Sequence, residues 1–227
     1  MISGGCACGC NRGFDRTHVT KAETRRKVRA GRAKLTRAEV ARRGETIADC
    51  LERHIHPRAV VAGYVPLPGE PDVLPFLKRH AARTGRVYVP VVPPSGRVLR
   101  WKRWTPHTPM RQHKKLPISE PSEGTPEDIA MLVEHASAVR ELGSAQLVLL
   151  IPTLALDSTG ARLGQGGGYY DTTAEVLASV LQDDADLRCE LIAVVHSEEI
   201  VESGAFPVEG HDLRVARAVT ECRVFDI

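Results

Sequence analysis

The stretch RLGQGGGYYD, Arg162 to Asp171, gathers residue types suited to holding an anion. Four glycines fall within five positions, Gly164 and Gly166 to Gly168. Glycine admits positive φ and lets backbone N–H groups come close to a ligand. Just before a helix N-terminus, such a loop is suited to phosphate, and Arg162 in front of it adds a planar cationic fork. The spacing is neither that of a P-loop nor that of a dinucleotide fingerprint with its downstream ribose acid. A plain glycine-rich surface loop is the competing reading. Against it, a buried-strand pattern leads into the loop, and Tyr169-Tyr170-Asp171 is a poor composition for a flexible linker. Asp171 either caps the following helix or, beside a phosphate cradle, needs a cation between itself and the anion. Mg²⁺ with oxygen ligands meets that need. Asp212, in EGHDLRVARAVTE, is the best second carboxylate for such an ion, with Glu209 and Glu221 still open.

The elements that must position this loop are written in the apolar pattern. Residues 59–65, 86–92, 146–151 and 190–195 are short, β-branched, unbroken runs bounded by Pro or Gly, as strands buried on both faces would be. Helical patterns over Asp72–Arg83 and Thr173–Gln182 alternate with them. That is βαβ order and an α/β fold: a mostly parallel central sheet with helices on both faces, in three layers. The more polar run Val98–Trp104 is expected as an edge strand. Thr125, with Pro126 and Asp128, predicts the start of an inserted helix running to about Leu142. Two basic helices precede the sheet. Thr36 and Glu39 form a capping-box pair, so one helix ends near Leu35 and another starts there. Val40, Ile47, Leu51 and Ile55 then mark the buried face of the second. The glycine loop follows the strand at 146–151, Pro152 and a turn at 157–160, and runs into a helix.

Composition narrows the function classes. The 227 residues allow one sizeable domain, expected over 21–227 behind a flexible leader at 1–20. Aromatics are only 4% of the chain, so aliphatic side chains must build the core. A net charge of +3 over the whole chain argues against a nucleic-acid binder, although Lys21 to Arg43 holds ten Lys/Arg against two Glu. There is no apolar run of membrane-spanning length, and the first twenty residues lack the apolar segment of a secretory signal. A cytoplasmic monomer without a membrane partner is expected. Cys6, Cys8 and Cys10, with His18 nearby, are residue types that bind a soft metal, but the spacing is not that of a zinc knuckle and no second ligand cluster follows, which favours a disordered leader. Cys50, Cys189 and Cys222 stand singly in apolar surroundings and read as buried thiols of a reducing compartment.

RLGQGGGYYD after a strand and LALDSTGA resembles the signature of the 5-formyltetrahydrofolate cyclo-ligases (methenyltetrahydrofolate synthetases). Further landmarks follow in the family's order: Lys21 with Arg25, GYVPLPGEPDV with Glu70, RWKRW before ISEP, then Pro207 and His211-Asp212 leading to a closing VTE. The resemblance implies an enzyme that uses ATP and Mg²⁺ to close 5-formyltetrahydrofolate into 5,10-methenyltetrahydrofolate, releasing ADP and phosphate. A folate- or nucleotide-binding regulator of the same fold, without turnover, is the alternative. The resemblance makes Lys21 and Arg25 a phosphate-binding pair one helical turn apart. It assigns the nucleotide to these two with Arg162, Gly164, Gln165, Gly166, Gly167, Gly168, Tyr169 and Tyr170, and gives Arg162 and Lys21 the catalytic charge. It places the folate against Val65, Glu70, Trp104, Gln165 and Tyr169, with Glu70 meeting the N–H donors of the pterin ring. Asp171 and Asp212 match the Mg²⁺ positions. Departures from the pattern are Thr172 for an Arg, His196 and Glu199 where an aromatic and a Gln are usual, Ala216 for an Asp, and Pro117 for a Gly.

Overall fold

A computed structural model describes residues 19–139, 146–184 and 186–227. The cysteine leader, with Cys6, Cys8, Cys10 and His18, lies outside the described residues, as does the predicted helix end at Leu142. Helix α1 spans Lys21–Arg32, α2 Arg37–His54, α3 Leu74–Thr84, α4 Ile129–Ser137 and α5 Tyr169–Gln182. The strands are β1 Val60–Ala62, β2 Val87–Val91, β3 Arg100–Arg103, β4 Met110–Gln112, β5 Ser119–Pro121 and β6 Leu147–Pro152. They continue as β7 Ala155–Asp157, β8 Arg162–Leu163, β9 Cys189–Val194, β10 Ile200–Val201, β11 Arg217–Val219 and β12 Val224–Asp226.

Seven strands form the central sheet in the order β12-β11-β9-β6-β1-β2-β3. Its five inner strands pair in parallel, for example Val60 with Leu147 and Leu150 with Ile192, and the two edge strands run antiparallel. Side chains alternate across it, as the period of a strand requires. Val61, Val148 and Leu150 pack on one face with Ile47 and Leu51 of α2 and Phe76 and Leu77 of α3. Val60, Ala62, Leu147 and Leu149 pack on the other with Ile129 and Leu132 of α4 and Leu177 of α5. This is the expected three-layer α/β arrangement, with β3 as the antiparallel edge within Val98–Trp104.

The differences are local. The inserted helix begins at Ile129 and not at Thr125, because Glu127 bridges Trp101 of β3 and the Asp128 side chain accepts from the Met131 N–H. Thr36 accepts from the Glu39 N–H, but the Glu39 carboxylate turns to Arg42 and Arg43. The reciprocal capping box belongs to Thr20 and Glu23, one helix earlier, where it sets the start of α1. Helix α5 begins at Tyr169, four residues before the expected Thr173, with Gly168 as N-cap, so Asp171 lies in the first turn and is not the cap. Of the three single cysteines, Cys50 is buried, Cys189 is intermediate and Cys222 is exposed, since the turn between β11 and β12 carries it outward.

Candidate active site

The carboxyl ends of β1 and β6 lie side by side where the strand order reverses, one branch running to β2 and the other to β9. In an open parallel sheet, ligands sit at such a point. Here it opens a cleft of about 550 Å³, walled by α1, the chain leaving β1, the glycine loop with the start of α5, and the turn at His211-Asp212.

Helix α1 crosses this cleft with a basic side chain at nearly every turn, and successive members share a face. The Lys21 Nζ donates to both Asp212 oxygens at 2.7 and 2.9 Å and to Glu209 at 3.3 Å. The Arg25 Nε donates to the Gly164 carbonyl at 2.9 Å. Arg29 donates to the Gln165 Oε1 at 2.7 Å. Burial works against the charge on Lys21 and on Asp212. Their mutual contact outweighs it, joined at Asp212 by the Glu209 N–H and at Lys21 by the Glu209 carboxylate. The ammonium is therefore held above the usual lysine range and the carboxyl below the usual aspartate range.

Strand β8 delivers Arg162 into the loop, where it is only 6% exposed. Its Nη2 donates to the Asp171 Oδ1 at 2.7 Å, and the same oxygen accepts the Leu213 N–H at 3.1 Å. Asp171 therefore abuts the residue next to Asp212, and the chain Lys21, Asp212, Leu213, Asp171, Arg162 is continuous. The Arg162 Nε is buried without a partner. In the loop itself Gly166 has φ 105° and Gly168 φ 72°, a region that side chains avoid. No side chain closes the N-cap at Gly168, so the N–H groups of the first turn of α5 have no side-chain acceptor. The Tyr170 hydroxyl is also buried without a partner, and burial raises its pKa, so it remains a proton donor.

Across the cleft stands Glu70, 5% exposed. Its Oε2 accepts the Leu67 N–H at 2.9 Å and its Oε1 accepts the Gln165 amide at 2.8 Å. Gln165 thus ties the phosphate-type loop to the carboxylate opposite.

The structure brings to the cleft every residue assigned from sequence except Trp104. That indole is 5% exposed and packs in the core formed with α2 and α3, because β3 directs it away from the cleft mouth. Among the departures, Thr172 and Pro117 line the cleft, whereas Ala216 is exposed and off it. Sequence reasoning missed Arg29 and Arg97, which also line it. Arg29 was within reach, since the spacing from Lys21 to Arg25 repeats once more; Arg97, after β2, has no such pattern. Among the described residues no group of three or more His, Cys, Asp or Glu side chains is poised to hold a metal. Two carboxylates lining one cleft, Asp171 and Asp212, suit an ion that completes its shell from phosphate oxygens and water rather than from a protein cage.

The model of the 5-formyltetrahydrofolate cyclo-ligase family matches residues 17–221. A 5-formyltetrahydrofolate cyclo-ligase of Mycolicibacterium smegmatis is 30% identical over 167 residues, 72% of this chain and 74% of that protein. The cyclo-ligase of Escherichia coli K12 is 29% identical over 73% of this chain and 80% of its own length. Among solved structures, a 5,10-methenyltetrahydrofolate synthetase of Aquifex aeolicus superposes with a TM-score of 0.65 at 24% identity, covering 91% of this chain and 92% of the other. One from Mycoplasma pneumoniae superposes with a TM-score of 0.57 at 16% identity, over 89% and 99%.

Proposed function

The chain belongs to the 5-formyltetrahydrofolate cyclo-ligase family, and from that membership we propose that its cleft closes 5-formyltetrahydrofolate to 5,10-methenyltetrahydrofolate at the expense of ATP. The observation that carries the reading to this cleft is the bridge from Glu70 through Gln165 into the glycine loop. It gives a carboxylate for a nitrogen heterocycle and a donor-rich loop for phosphate one shared wall.

The N5-formyl group is an amide whose oxygen cannot leave as oxide. Transfer of the γ-phosphoryl group to that oxygen, with loss of ADP, makes it a phosphate ester. N10 then attacks the formyl carbon and gives up its proton to solvent, and phosphate departs as the ring closes. Phosphoryl transfer requires positioning and charge neutralisation more than covalent help. Arg162, with its unpartnered Nε, and the N–H groups from Gly164 to Tyr170 are the donors for phosphate oxygens. Lys21 and Arg25 add cationic charge from α1. Asp171 and Asp212 would hold Mg²⁺, which when bound neutralises phosphate charge and polarises the transferred group. Lys21 pairs with Asp212 and Arg162 with Asp171, which puts cationic charge beside both carboxylates. Val65, Glu70, Gln165 and Tyr169 would bind the folate, Glu70 accepting from the pterin N–H donors.

The test is an absorbance assay on the purified chain. Methenyl absorbance should rise from 5-formyltetrahydrofolate only when ATP and Mg²⁺ are both present, with ADP released in equal amount. Tight folate or nucleotide binding without ADP release would reject turnover and leave a binding protein.

A further inference from the structure

Behind Glu70 lies a buried charged pair that the reaction above does not use. Arg32, Glu70 and Glu199 have side chains only 5–6% exposed. Arg32 grips Glu199 with both arms of its fork, Nε to Oε1 at 2.6 Å and Nη2 to Oε2 at 2.8 Å, and Nη2 also donates to the Thr153 carbonyl at 2.7 Å. Its remaining nitrogen, Nη1, stands 3.7 Å from the Glu70 Oε1, within attraction but beyond a hydrogen bond. One guanidinium therefore has two carboxylates in reach and is committed to one of them.

The commitment is built by the short turn Ser197–Glu199. The Glu199 Oε2 accepts the His196 N–H at 3.0 Å, which aims the carboxylate at Arg32. The His196 Nε2 meets the Gly69 carbonyl at 3.1 Å, so the same turn anchors the loop that carries Glu70. Glu70 itself is held by neutral donors, the Leu67 N–H and the Gln165 amide. A carboxylate held this way keeps lone pairs and charge for further N–H donors, whereas a bidentate arginine would occupy both oxygens.

We propose that Glu199 is a positioning residue for the folate: by holding Arg32 it keeps Glu70 open to the N–H donors of the ligand's ring. The inference rests on the cyclo-ligase reading and on Glu70 meeting that ring. Without the Glu199 charge, Arg32 is a buried cation whose nearest carboxylate is Glu70, and an unpaired buried charge moves to a partner. It then competes directly with the folate.

Steady-state kinetics on three chains decide it: the unaltered chain, Glu199→Gln, and the double variant Arg32→Met/Glu199→Gln. Glu199→Gln should raise the KM for 5-formyltetrahydrofolate about tenfold, the scale of one charge-assisted hydrogen bond redirected. The KM for ATP and kcat should stay within about twofold, a split that loss of general structure would not produce. The double variant has no arginine left to compete, so its folate KM should return to near that of the unaltered chain. A double variant as impaired as the single one would overturn the proposal, as would a Glu199→Gln chain whose ATP KM and kcat move together with its folate KM. If Glu199→Gln does not fold, the double variant decides alone: an unchanged folate KM supports the proposal, and a tenfold rise overturns it. An unaltered chain that forms no methenyl product would overturn the cyclo-ligase reading itself, and this inference with it.

Discussion

Among the regions dense in ion pairs are the cleft and the far edge of the sheet. At the far edge Arg217 of β11 reaches across both neighbours, to Glu190 on β9 and to Asp226 on β12, with His54 of α2 3.0 Å from Glu190. There the charges sit on cross-strand neighbours and satisfy one another, and none of their side-chain polar atoms is buried without a partner. A hollow of about 330 Å³ lies beside His54, so concavity alone does not separate the two regions. In the cleft the pairs Lys21–Asp212 and Arg162–Asp171 are as close. Yet the Arg162 Nε and the Tyr170 hydroxyl are left over, next to glycines at positive φ. Ion pairs gain about as much by attraction as they lose by desolvation, so their number says little about a site. Surplus donors that the fold has buried and not used say more.

The sharpest way to break this contrast is to remove the surplus donor. Arg162→Met should cost roughly 10²–10³ in kcat, the scale of losing one preorganised donor at developing charge, with only a modest fall in melting temperature. Turnover close to that of the unaltered chain, measured in the methenyl assay, would reduce the cleft to another structural network. Trp104 probes the boundary from the core side. Trp104→Ala should cost about 3–5 kcal/mol of stability in denaturant titration, with the folate KM unchanged in the folded fraction. A raised KM would put the indole back against the ligand.

Much of this division was legible in the sequence, for reasons visible in particular residues. The inner strands announce themselves because both faces are buried, so Leu147 to Ile151 reads as an unbroken apolar run. The loop is legible because few structures need Gly166 and Gly168 so close together. The edge was only partly readable. Strands β11 and β12 are three residues each and carry Arg217 and Asp226, so no apolar pattern marks them. Trp104 was misplaced because a tryptophan after a strand fits a ligand flank and a core equally well, and only the direction of β3 decides. Arg32 was invisible for a related reason. It is one of ten basic residues in a short segment, and nothing local tells the buried one from its solvated neighbours.

At the sheet edge the expected effects are smaller. Glu190→Gln should lower stability by about 1–2 kcal/mol, a few degrees in melting temperature for a chain of this size, and leave turnover within about twofold. A loss of turnover there would mean that the sheet edge communicates with the cleft.

The least conspicuous effect concerns pH and the Lys21–Asp212 pair. Asp212 has its folded pKa depressed, so its share of the stability is present above the ordinary aspartate range and fades as pH falls through the folded value. Lys21 has its folded pKa raised, so its share is present below the ordinary lysine range and fades as pH climbs through the folded value. Between roughly pH 5 and 9 neither group titrates, given ordinary values near 4 and 10.4. The stability difference between the unaltered chain and Lys21→Met should therefore be flat across that window and under about 1 kcal/mol, as for a pair that solvent partly screens. Below about pH 4 it should shrink, because Asp212 is then protonating in both chains. Melting temperatures of both chains across pH test this. A difference that stays unchanged on acidification would mean that Asp212 depends less on Lys21 than on the Glu209 N–H.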